Sequence, residues 1–250
     1  PIVTPLFRVY DQPFMLRSLR SAIASRTWRG DLVVLLIFSA LTAVVTYPQV
    51  RWIASRVPYS SDPYFSIWRL GWVAHAMVTS PRDLFQGNIF YPAPATLGYS
   101  DAMLLPGTIT APLFWGEINS VLIYNVAFLA AIVLSGWTAF RLARSLTGNV
   151  TASILAGIIF AFTPYRFCHY MHLELQIVFW MPVALLLVHH IVEQGRLRDG
   201  VLLGLAMAAQ LFSSIYMGVF SLVYLGVLIP ALFFLGGFRR ALKSLTPLTA

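Results

Sequence analysis

The chain is 250 residues long, 58% hydrophobic and only 10% charged, with a formal net charge of +8. Those proportions, with a mean hydropathy of +0.76, exclude an ordinary soluble domain and define a polytopic membrane protein. In such a chain the basic excess is read by its distribution across the bilayer, and nucleic acid is excluded as a partner. The single cysteine, Cys168, rules out an internal disulfide, and no paired Cys/His spacing marks a structural zinc site.

Residues 1–30 carry Arg8, Arg17, Arg20, Arg26 and Arg29 but no apolar run long enough to span, which predicts a basic cytoplasmic segment rather than a cleaved signal. The run from Asp31 to Pro48 approaches the ~20 apolar residues that a bilayer core requires, so 31–49 is the first predicted span. Residues 50–117 follow as a predicted extracytoplasmic loop, polar, aromatic and rich in proline. Within 118–250, five further apolar runs recur at roughly 118–140, 150–166, 175–192, 200–215 and 217–237. The expected fold is all-α, a polytopic transmembrane helix bundle of about six spans, with interfacial helices in the long first loop. Beginning at Pro1 and ending at Ala250 in a polar stretch, the chain reads as part of a longer protein.

Orientation follows from the arginines. With the N-terminus inside, 12 of the 17 basic residues fall on cytoplasmic segments, including the pairs Arg141/Arg144, Arg196/Arg198 and Arg239/Arg240. The other five are Arg51, Arg56, Arg69, Arg82 and Arg166, and all but the last belong to the long loop. This distribution predicts an inner (plasma) membrane protein with a cytoplasmic N-terminus and its loop on the extracytoplasmic side. No charged residue falls at the middle of a predicted span, so a charged intramembrane relay is not expected.

In the loop, Asp62-Pro63 opens a helical pattern in which Asp62, Ser66 and Arg69 share one face while Phe65, Trp68 and Trp72 line another. Such a helix suits the membrane surface, with its tryptophans at headgroup level. Ser80-Pro81-Arg82-Asp83 carries the start signals of a second short helix. The run Leu104–Trp115 is apolar but broken by Pro106 and Pro112, and is expected to re-enter or skim the interface. In the next outer segment His169 and His172 are neighbours at i, i+3. Glu174 lies about 160° round the axis from His172, so the three form no single helical metal face.

One span, a long outer loop with an acid soon after it, interfacial helices and then closely spaced spans: this order resembles the GT-C class of integral-membrane glycosyltransferases. That class includes protein mannosyltransferases, aminoarabinose transferases and oligosaccharyltransferase catalytic subunits. The resemblance implies a polyprenyl-phosphate sugar donor, with the early-loop acid as catalytic base or metal ligand. It also implies an acidic or His-containing pair in the next outer loop. Asp62 matches the first position and His172-Leu173-Glu174 the second. On that basis Asp62 and Glu174 are the candidate catalytic residues. Asp62 and His172 are the candidate ligands of a divalent metal ion, the one cofactor implied. The chain departs from the class in lacking Asp-x-Asp in either loop.

The chemistry makes its own demands. Moving a sugar from a lipid phosphate to a hydroxyl requires a base near the acceptor, cations on the leaving phosphate and a site at membrane-surface depth. Arg69 and Arg166 are suited to the phosphate by their planar, two-pronged donors. Asp101 and Tyr64 complete the candidate substrate-binding set, and membrane lipids are expected partners. Each residue also has a plainer reading. Asp62 before proline is a helix cap, Asp101 a turn residue, and the His169/His172/Glu174 cluster a group that hydrogen-bonds to headgroups. The alternative function is a non-enzymatic transporter or flippase of lipid-linked glycans, for which broken spans and internal repeats are the marks. Neither mark is present convincingly, although Pro182 and Pro230 do interrupt apolar runs. An assembly subunit without chemistry is the third reading.

Overall fold

The structure is a computed structural model that describes the backbone of residues 28–59 and 61–245. The basic segment over 1–27, Ser60, and the side chains of Arg239, Arg240 and Lys243 lie outside the described residues. Ten α-helices are described, and no strand occurs among the described residues. They are α1 (Trp28–Val45), α2 (Asp62–Thr79), α3 (Leu104–Trp115), α4 (Ser120–Thr147) and α5 (Val150–Ala161), followed by α6 (Pro164–Cys168), α7 (Leu173–Gln176), α8 (Trp180–Gln194), α9 (Leu197–Ser213) and α10 (Ile215–Leu245).

Among the described residues, four helical segments are long and apolar enough to cross a membrane: Ser120–Thr147, Val150–Cys168, Leu173–Gln194 and Ile215–Leu232. The predicted first span and the run at 200–215 correspond to shorter apolar stretches. α1 has 18 residues and becomes continuously apolar only after Asp31, while α9 has 17 and opens with Arg198 and Asp199.

The bundle is held by α4, which packs against α1, α5 and α8. Its tightest point is Phe38 of α1, fully buried between two glycines. A Cβ on Gly136 would stand 2.4 Å from the Phe38 ring, and one on Gly157 2.5 Å from it and 2.6 Å from the Gly136 carbonyl oxygen. Small residues let helix backbones approach in this way. Gly157 and Gly218 do serve close contacts, whereas Gly200, Gly204 and Gly226 face open space.

Three stretches differ from their sequence reading. Leu104–Trp115 is one continuous helix despite its prolines, since Pro106 falls in the first turn, where its missing N–H has no intrahelical partner anyway. Only Pro112 sits inside it, and α3 packs against α2 and α9. Pro182 does not break α8, because it too lies in the first turn; Pro230 is carried within α10. The predicted span at 175–192 falls within Leu173–Gln194, one of the four segments able to cross, but its helix is interrupted at 177–179, between α7 and α8. Backbone freed at such depth needs a partner within the protein. Gln210, fully buried on α9, supplies one by donating to the Ile177 carbonyl at 2.9 Å.

Two further polar groups sit near helix ends. Asn149 accepts from the Ala152 N–H and caps α5, and His189 lies 3.3 Å from Glu193 one turn on. At the far end of the bundle from the loop, Asp31 of α1 meets both Arg141 and the Trp137 indole of α4.

Candidate functional site

The site is built where α2, the loop before α3, the α6–α7 segment and the start of α10 converge. The Asp-Pro pair starts α2 as expected, but Ser61 takes the cap position and Asp62 the first turn, with Pro63 following. Freed of a capping bond, the Asp62 carboxylate faces the neighbouring segment, with Oδ2 3.7 Å from Nδ1 of His172.

One and two turns into α2 come Ser66 and Arg69, both buried. Arg69 is only 1% exposed, yet it makes four hydrogen bonds. Its two terminal nitrogens donate to the Asp101 carbonyl at 2.8 Å, Ser100 Oγ at 3.4 Å, Ser66 Oγ at 2.8 Å and Glu174 Oε2 at 2.8 Å. Its guanidinium also lies 4.7 Å from the Phe65 ring centre. The aromatic face predicted for this helix exists as a stacked row, Phe65 on Trp68 and Trp68 on Trp72. Trp68 and Trp72 donate to Asn88 Oδ1 and the Leu84 carbonyl, so they tether the loop rather than float at a surface.

The opposing wall comes from residues 163–176, which are not one helix. α6 ends at Cys168, a turn follows, and His172 stands at the cap position before α7. That break brings His172 Nδ1 to 3.9 Å from Glu174 Oε1, a closeness that a continuous helix would not give. Both His172 separations exceed a hydrogen bond, and a water or substrate hydroxyl can bridge them.

Between these walls is a cavity of about 400 Å³, lined among others by Asp62, Phe65, Arg69, Tyr165, His172 and Glu174. Of the seven residues predicted from sequence, Asp62, Arg69, His172 and Glu174 come together here. The other three do not line it. Tyr64 is exposed on the outer side of α2. Arg166 is buried and tied to Gln176, donating to Oε1 at 3.0 Å and to the backbone carbonyl at 2.7 Å. Asp101 is 2% exposed and accepts from the Ile215 N–H at 2.8 Å, which pins the start of α10. Burial pushes the Asp101 carboxyl above its usual range, against the lowering pull of Ser214 and the Ile215 N–H.

Sequence reasoning missed Ser100, Tyr216 and Phe220, which with Leu175 complete the lining. The signal for the last two was the polar break Ser213-Ser214 between two apolar runs. As for a metal, Asp62 and His172 offer two donors. Glu174 is engaged by Arg69, and no group of three or more His, Cys, Asp or Glu able to hold a metal ion occurs among the described residues. The donor set as arranged does not fit a divalent ion. No family model, curated protein or solved structure matches this chain.

Proposed function

We propose that the protein is a membrane glycosyltransferase of the GT-C type, which moves a sugar from a polyprenyl-phosphate donor to a hydroxyl acceptor on the extracytoplasmic face. The observation that carries this reading is the Asp62 carboxylate, uncommitted to helix capping and facing His172 across the mouth of a polar cavity beside an apolar bundle. In the reaction the acceptor oxygen bonds to the anomeric carbon as the bond from that carbon to the donor's phosphate oxygen breaks. Asp62 takes the acceptor proton, and the polyprenyl phosphate leaves with the bonding pair. His172 Nδ1 stands 3.7 Å from Asp62 Oδ2, so an acceptor hydroxyl seated beside the pair can reach both. Glu174, already paired with Arg69, holds that cation in place rather than acting as a base. Arg69 has one nitrogen, Nε, without a protein partner, and its charge contributes to the field at the leaving phosphate. No step is routed through a metal.

Six spans with a cytoplasmic N-terminus form part of the same proposal. The arginine distribution supports it, as does the clustering of Asp31 and Arg141 at the bundle end away from Asp62. The transporter or flippase reading has one observation of its own, the break between α7 and α8.

The test is sugar transfer from a panel of short-chain polyprenyl-phosphate sugars by purified protein in nanodiscs. Asp62→Asn is expected to lose at least ~10²-fold in rate with its melting temperature unchanged. A parent protein that transfers no sugar, or an Asp62→Asn protein that keeps its rate, overturns the proposal.

A further inference from the structure

A second cavity, of about 500 Å³, lies beside the first and shares its dividing segment. Phe167 and Tyr170 line this one, whereas Tyr165 and His172 line the other. Its remaining wall starts at Val45, the last residue of α1, and runs through Tyr47, Trp52, Arg56 and Tyr59.

Several polar groups in this wall are already paired, and the lining that remains is mainly aromatic and aliphatic, with the exposed Tyr47, Trp52 and Tyr59 among it. Tyr170 donates its hydroxyl to Gln49 Oε1, Gln49 Nε2 donates to Asn125 Oδ1, and Thr46 donates to the Thr42 carbonyl. An occupant therefore meets aromatic and aliphatic surface.

Arg56 is the one charged residue in this lining. Its guanidinium lies 4.5 Å from the Trp52 ring centre, Arg51 lies 5.3 Å from the same ring, and neither forms an ion pair among the described residues. Both sit just beyond the point where the apolar run of α1 ends. That is the depth at which a helix leaving hydrocarbon meets lipid headgroups, and Tyr47 and Trp52 are the residue types that belong there.

We propose that this cavity binds an anionic membrane phospholipid, with an acyl chain against Trp52, Tyr59 and Tyr170 and the phosphate-bearing head held by Arg56 and Arg51. Charge complementarity selects the head, and the largely aromatic and aliphatic wall selects the chain. The site is separate from the cavity around Asp62 and does not depend on any reaction there.

The test uses Trp52 as the reporter, its emission taken as the difference between the parent and Trp52→Phe proteins. Brominated phosphatidylglycerol is compared with brominated phosphatidylcholine in mixed nanodiscs. The phosphatidylglycerol is expected to quench this component at a mole fraction about fivefold lower, the preference one surface arginine confers. Arg56→Gln is expected to bring the two lipids together, and Arg51→Gln, whose side chain lies outside the cavity lining, to reduce the preference by less. Equal quenching by both lipids in the parent overturns the proposal, as does a full preference kept in both arginine variants. So does a response of Trp52 to a soluble oligosaccharide but to neither lipid.

Discussion

Arg69 and Glu174 stand 105 positions apart in the chain and meet as an ion pair at 2.8 Å, with both side chains nearly or fully out of solvent. Because Arg69 also holds Ser66 and the Ser100–Asp101 backbone, one guanidinium joins α2, the loop before α3 and the start of α7. The candidate site is thus assembled by a cross-link between two segments far apart in the chain. This also separates two carboxylates that sequence treats alike: Glu174 is engaged with Arg69, and Asp62 is left facing the cavity.

Breaking that pair is expected to destabilise the protein strongly. Arg69→Gln leaves Glu174 buried without a counter-charge, which costs about 3–5 kcal/mol. Glu174→Gln keeps an acceptor for Arg69 and is expected to cost less, about 1–3 kcal/mol. Thermal or denaturant unfolding in one detergent measures both. An Arg69→Gln protein as stable as the parent would show that the pair does not hold the loop in place.

Asp101 gives a pH dependence whose sign can be worked out. Burial raises its carboxyl above the ordinary 3.8, so the folded protein binds that proton more tightly than the unfolded chain does. The resulting stability is fully present below about pH 3.8 and is lost as pH rises through the raised folded value. Asp101→Asn keeps an oxygen for the Ile215 N–H and removes the titration. Its melting temperature is expected to lack this falling arm and at neutral pH to match or exceed the parent's. Melting curves from pH 4 to pH 8 on both proteins decide the point, and identical pH profiles would count against it.

The helical class and the start of α2 at Asp62-Pro63 were legible in the sequence because apolar run length and Pro-based helix starts are local signals. So was the gathering of Asp62, Ser66 and Arg69 on one face of that helix, since it follows from the helical period alone. What was not legible depends on contacts between distant segments. Arg166 reads as a phosphate ligand until Gln176 is seen to occupy it, and Asp101 reads as a turn or a site acid until it is found at the start of α10. Likewise, the break at 169–172 that brings His172 beside Glu174 leaves no mark in a hydropathy pattern. The predicted span at 175–192 hid a second break because Ile177, Val178 and Phe179 are as apolar as any helix, and only Gln210 betrays it.

The two glycines around Phe38 make a contrast with those that face open space. Gly157→Ala sets a methyl against the Gly136 carbonyl, which is backbone and cannot rotate away, so a loss of about 1–3 kcal/mol is expected. Gly200→Ala and Gly204→Ala meet nothing within 4 Å and are expected to be neutral or stabilising by up to ~1 kcal/mol through helix propensity. Unfolding of the three proteins side by side tests this, and a Gly157→Ala protein as stable as Gly204→Ala would mean that α1 does not dock through Phe38.

Gln176 is expected to matter as much as any residue lining the cavity while touching none of its contents. It is fully buried, accepts from Arg166 Nε, and donates through Nε2 to the Arg166 and His169 carbonyls at 3.1 and 2.9 Å. Those bonds close the bend between α6 and α7 that presents Tyr165 and His172. Gln176→Met preserves bulk but strands the Arg166 Nε and both carbonyls, at a cost of about 1–3 kcal/mol. Arg166→Lys should resemble it, because an ammonium cannot reproduce the planar fork that reaches the Gln176 side chain and backbone together. If the bend sets the geometry at His172, both variants lose sugar transfer further than their stability loss explains when assayed well below their melting temperatures. Transfer that falls only in step with the folded fraction would limit Gln176 to a structural role.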